Sequence, residues 1–386
     1  MQLLCENCIR DEHLRSVVAD KGLVVDRCAI CGADNVLALS SEDIDLKSRF
    51  RALIRYHFSE WHYNHHMGGD GLESLFYTDN PITNYQDSWD IEKYEKAILV
   101  VLDPAYEDYE KGICLFAGYT DGVQNLLLVA IKNDCDGQLR DLQRQSRERN
   151  FFLIESLVKA AIEPRTPDIE ATLAKGAKLF RTRIGYEARA TPLMGWGDER
   201  HYRPFSKNQI SAPPPIISSA GRMNRAGVSF LYLATDAETA VAETRPHPGH
   251  YCSYGEFEST RDLRIADLSS LVVTDFATSD KRLDEYLLLK TLDDLFSMPI
   301  TPEGRAEYQF TQLLADCFRQ LVFDAICYRS SVGSGKNYVV FDPSNLAYID
   351  GSGRVVKIEE LSYQFSEMVI MEEDDSYITD LNGEFR

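Results

Sequence analysis

Within GRMNRAGVSFLYLATDAETAVAETRP, residues 221–246, Arg222, Tyr232 and Glu243 stand ten and eleven residues apart on what reads as one strand-to-helix unit. Each type offers a distinct chemistry. A guanidinium can hold a phosphate bidentately. A phenol ring can pack against a flat ring, and a carboxylate can hold a sugar hydroxyl while countering positive charge that develops on the sugar. Together they suit a ligand with a phosphate, a flat cationic ring and a ribose between them. Expelling a neutral ring from such a cation needs no general acid. The transition state is then an oxocarbenium-like sugar, and Glu243 is the candidate to stabilise it.

A second constellation lies at the N-terminus. Cys5-x2-Cys8 and Cys28-x2-Cys31, with nineteen residues between the pairs, match a four-thiolate zinc site. The intervening residues are expected to return the chain as a ribbon, and Gly32 to supply the positive φ of the knuckle turn. Four thiolates leave no open coordination position, so this metal is expected to be structural. His57, His62, His65 and His66 lack a carboxylate pattern and read as a surface helix. Arg51 with His57, or Arg55 with His62, loosely fits the spacing of helical ribonucleases, against the acidic charge of the chain. Gly333-Ser334-Gly335-Lys336 resembles the end of a phosphate loop, but Asn337 and Ser330 occupy positions where Ser/Thr and Gly belong. There is no Gly-x-Ser-x-Gly elbow.

The elements that must carry these residues follow from periodicity. Helical spacing runs from about residue 40 to 67, AILVVL (97–102) reads as a strand, and QLRDLQRQSRERNFF as a charged helix. EPRTP (163–167) is the expected boundary. Beyond it KLFRTRIG (178–185) reads as a strand, 186–219 as a long Pro-rich loop, and VSFLYLA (228–234) as a buried strand. Thr235-Asp236-Ala237-Glu238 reads as a capping box opening the helix that carries Glu243. Further strands are expected at 252–257, 263–267, 323–328 and 337–342, with helices near 281–297 and 304–321.

The 386-residue chain carries 41 basic and 61 acidic side chains, a net charge of −20. That balance argues against nucleic acid as partner. Residues 181–245 depart from it, holding nine basic and six acidic side chains, a pattern that suits a small anionic ligand. No apolar run reaches the roughly 18 residues of a membrane span. MQLLCENCIRDEHL lacks a basic n-region, and the cysteines suit a reducing compartment, so a cytoplasmic protein is expected.

Three blocks in order resemble the RES domain family: LFRTRI, then GRMNRAG with FLYLATDAETAVAE, then FDAICYRSSVGSGKNYVVFDP, over roughly residues 175–345. In that register the family's Arg falls on Arg222, its Tyr on Tyr232, its Glu on Glu243 and its Ser on Ser330, with Ser331 adjacent. Arg181, Arg183, Asn224, Ser331 and Asn337 are further candidates for substrate contact. Only one of Arg181 and Arg183 is expected to face the pocket, Arg181 by family position.

The resemblance implies an ADP-ribosyltransferase-like fold, NAD as substrate, and often an antitoxin partner. The resulting expectation is an α+β chain with a four-cysteine zinc-ribbon module at 1–36 and a mainly helical region at 37–165. A mixed β-sheet RES-like domain at 170–350 and an acidic tail at 351–386 complete it. Its expected function is cleavage of the nicotinamide–ribose bond of NAD by water or phosphate, as a toxin or defence effector. Transfer of ADP-ribose to a macromolecule, or a non-enzymatic zinc-ribbon adaptor, are the alternatives. A regulatory partner and a homo-oligomer both stay open.

Overall fold

The computed structural model describes residues 2–63, 68–77, 79–102, 129–191, 200–299, 308–362 and 364–368. It is a mixed α+β structure. The N-terminal segment forms a three-stranded antiparallel sheet in the order β1-β3-β2, from β1 (Leu3–Cys5), β2 (Leu23–Arg27) and β3 (Asp34–Ser40). The expected ribbon is interrupted. Helix α1 (Glu12–Lys21), N-capped by the Asp11 carboxylate on the Leu14 amide, fills the interval between the two cysteine pairs. Its buried Leu14, Val17 and Val18 pack onto the sheet, which a bare ribbon would leave uncovered.

Four further helices follow among the described residues of this part: α2 (Ile44–His57), α3 (Glu60–Tyr63), α4 (Ile91–Leu102) and α5 (Gly137–Ser146). α4 corrects the strand expected at 97–102. Its buried residues Tyr94, Ala97, Ile98, Val101 and Leu102 recur at helical spacing, and Ile91 and Leu99 face out. Packing on one side overrides the β propensity of Ile-Leu-Val-Val. α6 (Phe151–Ile162) runs into a 3-10 turn at 163–168, where the boundary was expected.

Beyond that turn the chain builds one sheet in the order β13-β9-β5-β8-β12-β11-β10-β4, with β14 also paired to β9. Its strands are β4 (Glu170–Leu173), β5 (Lys178–Ile184), β8 (Leu231–Ala234), β9 (Tyr251–Ser259), β10 (Leu263–Asp267), β11 (Ala325–Arg329), β12 (Lys336–Val340), β13 (Leu346–Tyr348) and β14 (Arg354–Lys357). β10 and β11 are parallel; the other pairs are antiparallel. A small hairpin, β6 (Ala188–Ala190) with β7 (His201–Arg203), stands apart within the long loop. Among the described residues of this half there are three α-helices: α7 (Ala237–Glu243), α8 (Asp280–Ser297) and α9 (Tyr308–Gln320).

Alternation along the strands sorts side chains between the two faces. Leu231, Leu233, Cys327, Tyr338 and Val340 join a smaller cluster on one face. Tyr232, Tyr328, Ile326 and Val339 face the main apolar cluster, which reaches from Leu4 through the N-terminal helices to Val339. The turn at 163–168 changes the architecture without interrupting this core.

Two N-terminal arginines lock the halves together. Arg51 and Arg55 of α2 donate to the two oxygens of Asp280, at 2.7 and 3.0 Å, and all three side chains are buried. That buried pairing leaves the ribonuclease-like spacing without a surface role. His62 accepts the Ser59 amide through Nδ1, and burial lowers the His57 imidazole to about 4. His65, His66, the acidic run Glu372–Asp375 and the first turn of the helix expected from 304 lie outside the described residues. Among the described residues no helix is long and apolar enough to cross a membrane.

Candidate active site

Glu243 is the last residue of α7. That helix begins one residue later than expected: Asp236, not Thr235, is its cap, accepting the Thr239 amide at 2.7 Å. Thr235 is otherwise engaged, its hydroxyl accepting the Lys336 amide at 3.0 Å, and Thr239 Oγ1 takes the Gly335 amide at 3.0 Å. The β11–β12 loop therefore lies directly on the first turn of α7. A Cβ on Gly335 would collide with the Asp236 carboxylate, and one on Gly333 would stand 2.9 Å from the Thr239 Cα. The Gly-Ser-Gly run thus serves close backbone approach. It joins two antiparallel strands and does not lead into a helix as a phosphate loop does.

This contact brings Ser330 and Asn337 to Glu243. Ser330 Oγ donates to Glu243 Oε1 at 2.7 Å and accepts the amides of Val332 and Gly333 at 3.2 and 3.0 Å. Asn337 Nδ2 donates to the same Oε1 at 2.6 Å. Oε2 has no hydrogen-bond partner among the described residues. One carboxylate oxygen is thus fixed by two donors and the other is left over. Ser331, exposed, is not part of this arrangement.

Tyr232 sits on β8, on the face turned toward α7. Its hydroxyl donates to Asn224 Oδ1 at 2.7 Å and accepts the Met223 amide at 3.2 Å; burial pushes the phenol up to about 12. Asn224 is buried, and its amide nitrogen donates to the carbonyls of Ser219, Val228 and Arg225 at 2.9, 2.9 and 3.2 Å. It latches the 218–228 loop, a positioning task where substrate contact was expected. The same loop presents Arg222. Its Nη1 donates to the Phe296 carbonyl near the end of α8, and its own carbonyl accepts Thr311 Oγ1 of α9 at 2.5 Å.

Arg181 and Arg183, two apart on β5, lie on the same face of the strand, so the expectation that only one could face the pocket does not follow from alternation. Both reach the 207–210 turn: Arg181 Nε donates to the Ile210 carbonyl at 2.6 Å and Arg183 Nη1 to that of Gln209 at 2.5 Å. Arg181 also donates to the Tyr232 carbonyl at 2.8 Å, and burial lowers it to about 10, still protonated at neutral pH. Arg183 is exposed and lies 4.7 Å over the Phe205 ring.

A cavity of about 280 Å³ opens between β5, β8 and α7, lined by Phe180, Thr182, Tyr232, Glu243, Tyr328 and Asn337 among others. Tyr328 is the residue that sequence reasoning missed. It stands two positions before Ser330, on the same strand face, and that spacing was the available signal. Burial raises its phenol well above the usual range, the Arg222 cation opposes this, and Glu243 and Tyr232 add to it, so all three groups act on Tyr328. A larger groove, about 1400 Å³, runs outside α7 past Arg245, His247, Tyr254 and Ser331 to Val356, Ile358 and Leu361. The convergent polar groups are in the smaller cavity, which is therefore the candidate site.

The cysteine quartet is the other assembled cluster. Cys5 Sγ lies 3.5 Å from both Cys8 and Cys31, Cys8 lies 3.9 Å from Cys28, and all four sulfurs fall within 4.8 Å of one another. Thiolates about 2.3 Å from one tetrahedral ion stand roughly 3.8 Å apart, so the donor set fits such an ion. Gly32 adopts φ +74° in the second knuckle, as expected.

Residues 189–364 match the family described as the RES domain. The chain carries a RES domain. Glu243, Ser330 and Asn337 fall inside the match, and β5 with Arg181 precedes it, although β5 is a full member of the sheet. A chain from the crystal structure of the M. tuberculosis MbcT–MbcA toxin–antitoxin complex aligns with 52% of this chain and 92% of its own length, at 12% identity and a TM-score of 0.30. That score is too low to bear on the fold or activity of the RES domain here. No curated protein matches the chain.

Proposed function

We propose that the RES domain cleaves NAD at the nicotinamide–ribose bond, with water or phosphate as acceptor, and that the protein acts as a toxin or defence effector in the cytoplasm. The observation that supports this best is Glu243, pinned through one oxygen by Ser330 and Asn337, with its other oxygen unpaired among the described residues at an aromatic-walled cavity. As the C1′–N bond breaks, its electron pair passes to the pyridine nitrogen and nicotinamide leaves neutral. Positive charge grows on the ribose, where Glu243 stabilises it; water then bonds to C1′ and gives up a proton, yielding ADP-ribose. Phosphate in place of water yields a ribosyl phosphate. A preorganised carboxylate contributes a few kcal/mol to such a step, on the order of hundredfold in rate.

Arg222 supplies the cation for a phosphate, and the aromatic walls take the flat ring. The cavity holds one end of the dinucleotide, the rest lying outside it. The four N-terminal thiolates hold a structural zinc ion, and a partner antitoxin restrains the enzyme.

Incubating purified protein with NAD, with and without phosphate, tests the proposal. Nicotinamide release without any protein acceptor is the expected result. Release that depends on an added macromolecule would favour ADP-ribose transfer, for which the adjoining groove is the surface at hand. No release in any condition would leave a binding protein.

A further inference from the structure

Tyr232 cannot donate its hydroxyl proton to a ligand without releasing Asn224 and the loop that carries Arg222, because that proton already goes to Asn224 Oδ1. The cavity has a second phenol. Tyr328 is 5% exposed, lines the same cavity, and its hydroxyl makes no hydrogen bond among the described residues. It is also absent from the side-chain oxygens that are both sealed from solvent and unpartnered, so its oxygen opens onto the cavity. A hydroxyl that faces a cavity with no protein acceptor is available to donate to a ligand. The ring itself is fixed, packed with Phe296 at 6.1 Å between centroids, so the hydroxyl is held in place without a protein partner.

We propose that Tyr328 is a specificity-determining residue whose hydroxyl donates to the carboxamide oxygen of the nicotinamide group. This rests on the NAD reading of the site. The acceptor follows from depth and charge. Tyr328 is among the most buried residues lining the cavity, whose wall also includes Phe180 and Ala240. The group that enters deepest is then flat and mostly apolar, which the pyridine ring is and the ribose and phosphates are not. Because burial and Glu243 both raise the phenol, Tyr328 stays neutral and donates throughout the physiological range. Glu243 takes the sugar through Oε2, so the two contacts act on different parts of one substrate.

Tyr328→Phe removes only the oxygen and keeps the core ring. Nicotinamide and pyridine, which differ by the carboxamide, are the two probes, titrated against full-length wild type and variant by ligand-observed NMR. The wild type should prefer nicotinamide. The variant should bind nicotinamide about tenfold more weakly and pyridine equally well, with a melting temperature close to wild type. Equal nicotinamide binding by the variant, or an equal loss for both probes, would overturn the assignment and leave the NAD reading standing. If the wild type binds neither nicotinamide nor NAD, the NAD reading fails and this assignment with it.

Discussion

Glu243 shares Oε1 between Ser330 and Asn337, and that sharing leaves Oε2 as the oxygen proposed to meet the substrate. Glu243→Gln keeps the acceptor for both donors but turns a neutral amide toward the cavity. Turnover is expected to fall about a hundredfold or more while NAD affinity changes little, read as a drop in kcat at near-constant KM. Retention of full NAD cleavage would remove Glu243 from the chemistry. Arg222→Ala should act on the other parameter. It removes the proposed phosphate anchor and should raise KM more than it lowers kcat; an unchanged KM would mean that the bond to the Phe296 carbonyl is its whole role. Arg222, Tyr232, Glu243 and Ser330 were chosen from residue types in register, and of these Ser330 and Glu243 are in direct contact. The duties of Asn224 and the free hydroxyl of Tyr328 were not legible in the sequence, because a hydrogen-bond partner is decided by the loop that folds over it.

α8 ties the N-terminal half to the site. Near its start Asp280 is clasped by Arg51 and Arg55; near its end Asp293 accepts the Arg329 amide at 3.0 Å, next to Ser330, and the Phe296 carbonyl accepts Arg222. Removing one partner of a buried ion pair leaves charge without compensation. Asp280→Ala should therefore cost about 3–5 kcal/mol, measured by urea denaturation. A loss below about 1 kcal/mol would show that the pairing does not hold the halves together. Most helices and strands of the C-terminal half stand where periodicity put them. α4 did not, because a run of branched apolar residues reads alike in a strand and in a buried helix face, and only the neighbouring helices decide which side is covered.

At the scale of the molecule, the cysteine module and the RES domain contribute to one apolar cluster. Residues 1–165 are therefore structural as well as regulatory candidates. A chain beginning at residue 166 would expose the face of α9 that packs on α6, together with Asp280, and is expected to aggregate or melt far below the full-length protein. A monomeric truncated chain with wild-type stability would show that the RES domain needs none of the N-terminal packing. Metal analysis of full-length protein should find about one zinc per chain, and Cys28→Ser should lose it and loosen the β1–β3 sheet. Full-length protein purified without chelator and containing no zinc would exclude the metal.

The sequence alone determined the cysteine quartet, the acidic chain with its locally basic segment, and the order of blocks that marks the RES domain. These are local: spacing and residue type suffice to state them. The tertiary structure decided which serine meets Glu243, which tyrosine keeps a free hydroxyl, and that two differently built halves share one core. The first and the last of those depend on residues 87 or more apart in the chain, Ser330 with Glu243 and Asp280 with Arg51, and the second on a loop that returns the Tyr232 hydroxyl to Asn224, eight residues away. No local pattern records such a pairing; it is fixed by how the sheet registers and what packs against it.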